Sequence, residues 1–265
     1  MTQFLDTLRL RNEPLFFFGL VCLVLSVIFM LLARFSSGQV MGINAWIKPV
    51  KFAVSLAIYA WTMAWFCHYL MPDFNPRPFN WTVISLLGFE LAYIAWQAGR
   101  GQLSHFNISS PVYAGLYSLM AVAITVVVFY TVYIGILFFT RAFPDLPDYY
   151  VWSIRIGIAL FVIFSLEGFA MGARLTHTIG GSDGGPGLPL VNWSTRYGDL
   201  RTAHFIGMHA LQVLPLLSFY LLKDLRLVLF VGLLYGALAA FTLVQALDGK
   251  PIVARYQSDI DTRAY

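Results

Sequence analysis

The chain has 265 residues, of which 59% are hydrophobic and only 11% are charged, and its formal net charge is +4. Soluble domains carry about 25% charged residues, so this chain has too few charges to cover a surface that faces water. The composition excludes a disordered chain, a coiled coil and a nucleic-acid-binding domain. It predicts an integral membrane protein that contacts the lipid bilayer.

Seven apolar segments are long enough to cross a membrane, which takes about 20 residues. They lie at about 14–33, 49–71, 81–99, 112–140, 151–173, 203–221 and 227–246. No cleavage site follows the first segment, so it is predicted to be a retained helix and not a signal peptide. We therefore expect an all-α bundle of seven membrane-spanning helices that forms a single domain over residues 1–265. Cys22 and Cys67 both lie inside spans and are predicted to be small core residues, with no disulfide framework.

Seven spans place the two ends of the chain on opposite sides of the membrane. We call side B the side that holds the C-terminus and the loops after the first, third and fifth spans; the other is side A. Side B carries ten Lys and Arg residues: Arg34, Lys48, Lys51, Arg100, Arg174, Arg196, Arg201, Lys250, Arg255 and Arg263. Side A carries seven: Arg9, Arg11, Arg77, Arg141, Arg155, Lys223 and Arg226. This excess favours a cytoplasmic C-terminus in a bacterial-type inner membrane. Without the five that fall in the predicted site the count becomes five against seven, so the charges alone do not decide the orientation.

Polar side chains recur at helical spacing on five spans, so each set shares one face of its helix. The sets are Lys48, Lys51, Ser55, Tyr59 and Thr62 on the second span; Glu90, Tyr93, Gln97 and Arg100 on the third; Glu167, Met171 and Arg174 on the fifth; His209 and Gln212 on the sixth; and Tyr235, Thr242 and Gln245 on the seventh. Each stripe approaches side B. We infer a polar cavity in the side-B half of the membrane.

Two carboxylates lie well inside their spans, where an ionisable group costs about 2.5 kcal/mol or more and marks function by default. Glu90 and Glu167 are predicted to face the bundle interior. Their available cations are Lys51, Arg100 and Arg174, and these five residues are the candidate catalytic or proton-carrying groups. The alternatives are structural ion pairs for the carboxylates and snorkelling to the headgroups for the cations.

Four of the five histidines lie toward side B and suggest two kinds of cofactor. A zinc or iron site would use His177, His204, His209 and Asp199. However, the i,i+5 spacing of His204 and His209 points them roughly 140° apart on a regular helix. Histidines hydrogen-bonded to loop backbone are the alternative.

Haem or a quinone is the second cofactor hypothesis. A b-type haem needs axial histidines from two helices and cations for its propionates, and a quinone headgroup suits the same mixture of side chains. The predicted cofactor-binding residues are His105, His177, His209, Gln97, Gln212, Lys48 and Arg201.

The connection between the fifth and sixth spans, GGSDGGPGLPLVNWSTRYGDLR, is too rich in glycine and proline for a helix. A loop of about 28 residues is functional by default. We predict an interfacial lid with Trp193 and Tyr197 at headgroup level and with Asp183 available for capping or charge pairing. The loop lacks the ending of a phosphate-binding P-loop.

Four functions are compatible with this sequence. The first is a redox protein that binds haem, a quinone or a metal. The second is a proton-coupled transporter, in which Lys48, Lys51, Arg100 and Arg174 attract an anion while Glu90 and Glu167 carry protons. The third is a metal-dependent hydrolase of lipids, and the fourth is a structural subunit.

Overall fold

The computed structural model describes residues 2–185, 187–189 and 191–254. Arg255 and Arg263, which entered the predicted charge count, lie outside the described residues.

In these described ranges the chain forms eight α-helices: α1 Thr2–Arg11, α2 Glu13–Phe35, α3 Ile47–Tyr69, α4 Arg77–Gly99, α5 Pro111–Thr140, α6 Asp148–Arg174, α7 Leu200–Leu217 and α8 Leu225–Leu247. A short π-helix at Ser218–Leu222 extends α7. Helices α2 to α8 are long and apolar enough to cross a membrane, which confirms the predicted seven-helix bundle.

Two short hairpins lie in the side-B loops. Strands β1 (Gln39–Val40) and β2 (Ile43–Asn44) pair antiparallel after α2. Strands β3 (Thr178–Ile179) and β4 (Gly198–Asp199) also pair antiparallel, with Thr178 opposite Asp199. The second pairing brings the two ends of the long loop together.

Side chains and prolines, rather than hydropathy alone, set where the helices begin. The side chains of Asn12, Ser110, Asp199 and Asp224 accept hydrogen bonds from the first turns of α2, α5, α7 and α8. Helix α4 begins at Arg77, four residues before the predicted start, because proline is favourable in a first helical turn.

Helix α1 is an element that the sequence analysis missed, because it is too polar and too short to score as a span. Leu8 is fully buried, and Phe4 stacks on Trp65 with ring centroids 5.5 Å apart. The Arg11 guanidinium lies 3.7 Å from a Trp65 ring centroid. These contacts fasten α1 to the side-A end of α3.

Aromatic side chains fill the side-A half of the bundle. Phe66, Phe79 and Phe138 are among the largest fully buried side chains. Phe138 stacks on Phe143 at 4.9 Å, and Phe79 meets the edge of Tyr130 at 5.3 Å. This half of the membrane is therefore closed by apolar packing.

Helices α6 and α7 approach each other at backbone distance. A Cβ added at Gly157 would lie 2.9 Å from the carbonyl oxygen of Ala210 and 3.2 Å from Cα of Leu211. Small residues permit such close packing in membranes, where van der Waals contact replaces the hydrophobic drive. The glycine therefore fixes the separation of these two helices.

Gly157→Ala is expected to destabilise the bundle by about 1–3 kcal/mol, because backbone atoms of α7 cannot yield as a side chain would. Gly115→Ala is the matched control, since no atom lies within 4 Å of a Cβ added there. Thermal unfolding in detergent should show a lower midpoint for Gly157→Ala only. Equal midpoints for the two variants would contradict the close approach.

Candidate functional site

Unpartnered buried polar atoms are concentrated on side B. Within the described residues, eight buried side-chain nitrogen or oxygen atoms have no hydrogen-bond partner, and seven lie in the side-B half. They are Glu90 Oε1, Gln97 Oε1, Ser165 Oγ, Glu167 Oε1, Glu167 Oε2, His177 Nδ1 and His204 Nδ1. Buried polar groups almost always bind protein, water or ligand. This half of the bundle therefore has the chemistry of a hydrated or ligand-binding interior.

The two carboxylates lie deep on this side. At 1.5 Å per residue, Glu90 is about 14 Å from the end of α4 and Glu167 about 10 Å from the end of α6. Glu90 is 5% exposed, and the Glu167 side chain is 7% exposed. Both are thus enclosed by protein and not turned to lipid.

Lys48 is one of the charged groups on side B. It lies within electrostatic range of Glu90, Lys51, Arg201 and Asp183. Within the described part of the chain, neither Lys48 nor Glu90 forms a salt bridge. The two opposite charges therefore face the same region without touching.

Two further cations hold the long loop over this region. Lys51 Nζ donates to the carbonyl oxygen of Val191 at 3.1 Å. Arg201 donates to the carbonyl of Asn192 at 2.8 Å and forms a paired contact with Asp199 at 2.6 and 2.9 Å. Asp199 therefore neutralises Arg201, whereas Lys51 contacts only a neutral carbonyl.

Asp183 organises the loop from within. It accepts hydrogen bonds from the hydroxyls of Thr176 and Thr178 and from the backbone N–H groups of His177 and Thr178. Burial opposes ionisation of Asp183, but the contact with His177 and the Thr178 and Thr176 hydroxyls outweigh it and hold its pKa well below the usual value. The sequence analysis missed both threonines; their close spacing before the aspartate was the available signal.

His177 and His105 both have pKa values below the usual histidine value. His177 Nδ1 lies 2.9 Å from Asp183 Oδ2, at ion-pair distance but outside hydrogen-bond geometry. Burial lowers the pKa of His177. Burial also places the pKa of His105 well below its usual value, and the charges of Lys48 and His177 act in the same direction. We call Lys48, Glu90, His105, His177 and Asp183 the polar cluster.

Phe106 stands beside both of these histidines. Its ring centroid is 5.2 Å from that of His177 and 6.4 Å from that of His105. His105 also packs on Phe52 and Tyr117. Aromatic rings therefore surround these two imidazoles.

A second carboxylate–histidine pair lies between α6 and α7. Glu167 Oε2 is 3.4 Å from His204 Nδ1. Gly168 gives the imidazole room, because a Cβ there would be 3.1 Å from His204 Cε1. Tyr117 of α5 also packs against α6, since its hydroxyl would lie 3.1 Å from a Cβ added at Gly172.

The predicted metal ligands take four different partners. His177 contacts Asp183, His204 contacts Glu167, His209 contacts Gln212, and Asp199 contacts Arg201. Among the residues that the structure describes, no three metal-ligating side chains form a group that could hold a metal ion. The predicted four-residue metal centre is thus not assembled.

Arg100 and Arg174 lie apart from the two carboxylates. Both are exposed; Arg100 covers the Trp96 ring at 4.8 Å, and Arg174 donates to the carbonyl of Ala170 at 3.1 Å. Their positions fit the snorkelling alternative. Gln97 lies nearer the cluster and donates to the hydroxyl of Tyr93 and the carbonyl of Leu103.

Comparison with protein families, curated proteins and solved structures finds no match to this chain. Inference about function therefore depends on the geometry described above.

Asp183→Asn is expected to lower stability by about 2 kcal/mol, because an amide cannot accept every hydrogen bond that the carboxylate accepts. The folded-state pKa is depressed, so the stabilisation is present above the unfolded value of about 4 and is lost as pH falls through the folded value. Unfolding midpoints should differ between wild type and variant at pH 5–7 and converge below about pH 4. Exposed Asp145→Asn is the control; a variant midpoint equal to wild type at pH 7 would argue against this anchor.

Hydration of the side-B half can be tested with two serines of α6. Ser165 has its unpartnered hydroxyl in that half, whereas Ser153 is fully buried in the side-A half and donates to the carbonyl of Tyr150. In a background with both native cysteines replaced by alanine, Ser165→Cys should react with a small water-soluble methanethiosulfonate. Ser153→Cys should not react, and similar labelling of both would contradict a one-sided aqueous region.

Proposed function

We propose that the protein carries a small anion across the membrane together with a proton, with the polar cluster as the binding site. The observation that supports this is that Lys48 and Glu90 lie within electrostatic range of each other but do not form a salt bridge. Opposite charges enclosed in a membrane protein normally form an ion pair, since neither is solvated by lipid. A separated pair suits a site whose counter-ion is a ligand.

The charges of the site suggest how anion and proton are coupled. Arg201 is paired with Asp199, so Lys48 and Lys51 are the cations available, and Lys48 lies within electrostatic range of two carboxylates, Glu90 and the loop residue Asp183. When Glu90 takes a proton, Lys48 loses one nearby negative charge. An anion restores it, so a proton and a monovalent anion enter together with no change in total charge.

Within the described residues, the buried polar atoms without a hydrogen-bond partner lie in the side-B half except for Arg11 Nη1, as expected for one state of an alternating-access carrier. The side-A half is closed by Phe66, Phe79 and Phe138, all fully buried. Transport therefore requires a second conformation in which this aromatic packing opens. An inner membrane of bacterial type would supply the proton gradient.

The redox and hydrolase hypotheses receive less support from the geometry. The candidate metal ligands take separate partners, and among the described residues no three of them form a group that could hold a metal ion. The quinone hypothesis does not require these ligand sets.

Proteoliposomes test the proposal directly. With the interior at pH 7.5 and the exterior at pH 6, formate, acetate, nitrate and phosphate are added in turn while an internal pH dye is read, and the acidification of protein-free liposomes, which formic and acetic acids enter unaided, is subtracted. Wild type is expected to acidify the interior when one of these anions is present. Glu90→Gln should abolish acidification, and Lys48→Gln should weaken anion binding about tenfold, the loss of one charge-assisted contact.

Two exposed residues provide matched controls. Glu13→Gln removes a carboxylate paired with Arg9 on side A, and Arg34→Gln removes a cation at the side-B end of α2. Both should transport as wild type does. Failure of all four anions to acidify wild-type vesicles, or unaltered acidification by Glu90→Gln, would overturn the proposal.

A further inference from the structure

Polar side chains of α3 and α7 meet at a lipid-facing position outside the polar cluster. Ser55, Ile58 and Thr62 share one face of α3, and Phe205, His209, Gln212 and Leu216 share one face of α7. A hydrogen bond of 3.2 Å from Gln212 Nε2 to Thr62 Oγ1 crosses between the helices. We call this region the α3–α7 cleft.

Apolar side chains at the rim of the cleft are exposed to lipid. Ile58 is 37% exposed, Phe205 is 44% exposed and Leu216 is 56% exposed. His209, Gln212 and Thr62 are half-buried behind them. A molecule dissolved in the bilayer can therefore reach the polar groups without passing through water.

The polar groups of the cleft lie near the middle of the membrane. His209 is about 14 Å and Gln212 about 18 Å from the start of α7, at 1.5 Å per residue. At that depth a polar side chain without a partner is costly and usually functional. Each of these polar groups therefore needs a partner in the protein or in a ligand.

The hydrogen bonds in the cleft run in one direction and fix the tautomer of His209. The Thr62 hydroxyl donates to the carbonyl of Ile58 at 2.7 Å, so it accepts from the amide nitrogen of Gln212. The amide oxygen of Gln212 is thereby left for His209 Nδ1, at 3.3 Å. An acceptor at that position requires a proton on Nδ1, and Nε2 of the neutral ring is then a bare acceptor.

We propose that the α3–α7 cleft binds a membrane-soluble hydroquinone, whose hydroxyl donates to Nε2 of His209. Because Nε2 of His209 is an acceptor, it favours a ligand that donates a hydrogen bond. A hydroquinone has a hydroxyl that can donate, whereas an oxidised quinone does not. The Phe205 ring lies 4.2 Å from the imidazole, and Trp193 packs against Phe205 at 5.5 Å, forming an aromatic wall for a flat ring. The apolar tail of the ligand leaves between Ile58 and Leu216. This site does not depend on the proposed transport.

Three ligands test whether binding requires a hydroxyl that donates a hydrogen bond. Full-length protein in lipid nanodiscs is titrated with a decyl-substituted benzohydroquinone, its dimethyl ether and the oxidised quinone, with empty nanodiscs subtracted. The hydroquinone should bind saturably. The ether and the quinone should each bind about tenfold more weakly, because neither offers a hydroxyl to His209.

Variants locate the site. His209→Phe should weaken hydroquinone binding about tenfold, and Gln212→Leu should weaken it less, since the ring stays but its tautomer is no longer fixed. His68→Phe, at an exposed histidine of α3 on side A, is the matched control. If a variant does not fold, comparison of the three probes on wild type still decides. Equal binding of hydroquinone and ether, tighter binding of the quinone, absence of saturable binding, or unchanged binding by a folded His209→Phe would overturn the proposal.

Discussion

The energetic cost of placing polar side chains in a membrane organises this molecule. Lipid offers no hydrogen bonds, so each enclosed donor or acceptor must find protein, water or ligand. On side A much of that need is met within the protein, since Asn12 and Asn80 exchange hydrogen bonds and Ser153 donates to the carbonyl of Tyr150. On side B, Glu90, Glu167 and their neighbours keep atoms without protein partners. The contrast between two halves of one bundle is stronger support for a site than any single residue.

The long loop is part of that organisation rather than an appendage. The β3–β4 pairing joins its ends, and Asp183 accepts hydrogen bonds from residues Thr176 and Thr178. Lys51 and Arg201 donate hydrogen bonds to carbonyl groups later in the loop. Lys51 therefore performs two tasks, because it fastens the loop and also contributes positive potential near the polar cluster, whereas the charge of Arg201 is offset by Asp199. Loss of either would loosen the loop and change the charge balance together.

Sequence alone predicted the spans well because hydropathy is a local property, and it predicted the burial of Glu90 because distance from a helix end is local too. It did not identify the cations around the carboxylates. Arg100, Arg174 and Arg201 all sit near helix ends, and which of them turns inward depends on tertiary contacts such as the Asp199 pair. The calculated 140° between His204 and His209 was informative, since each histidine contacts a different partner.

That angle also links the two sites. Helix α7 presents His204 to Glu167 inside the bundle and His209 to the cleft at its surface, so one rigid element lines both. At Gly157 its backbone lies almost against α6, and the two helices are therefore expected to move as a unit. Any rearrangement that opens the side-A half by shifting this unit also changes the spacing between Thr62 and Gln212. Occupation of the cleft from the lipid would then favour one conformation of the interior site, without the two ligands ever meeting.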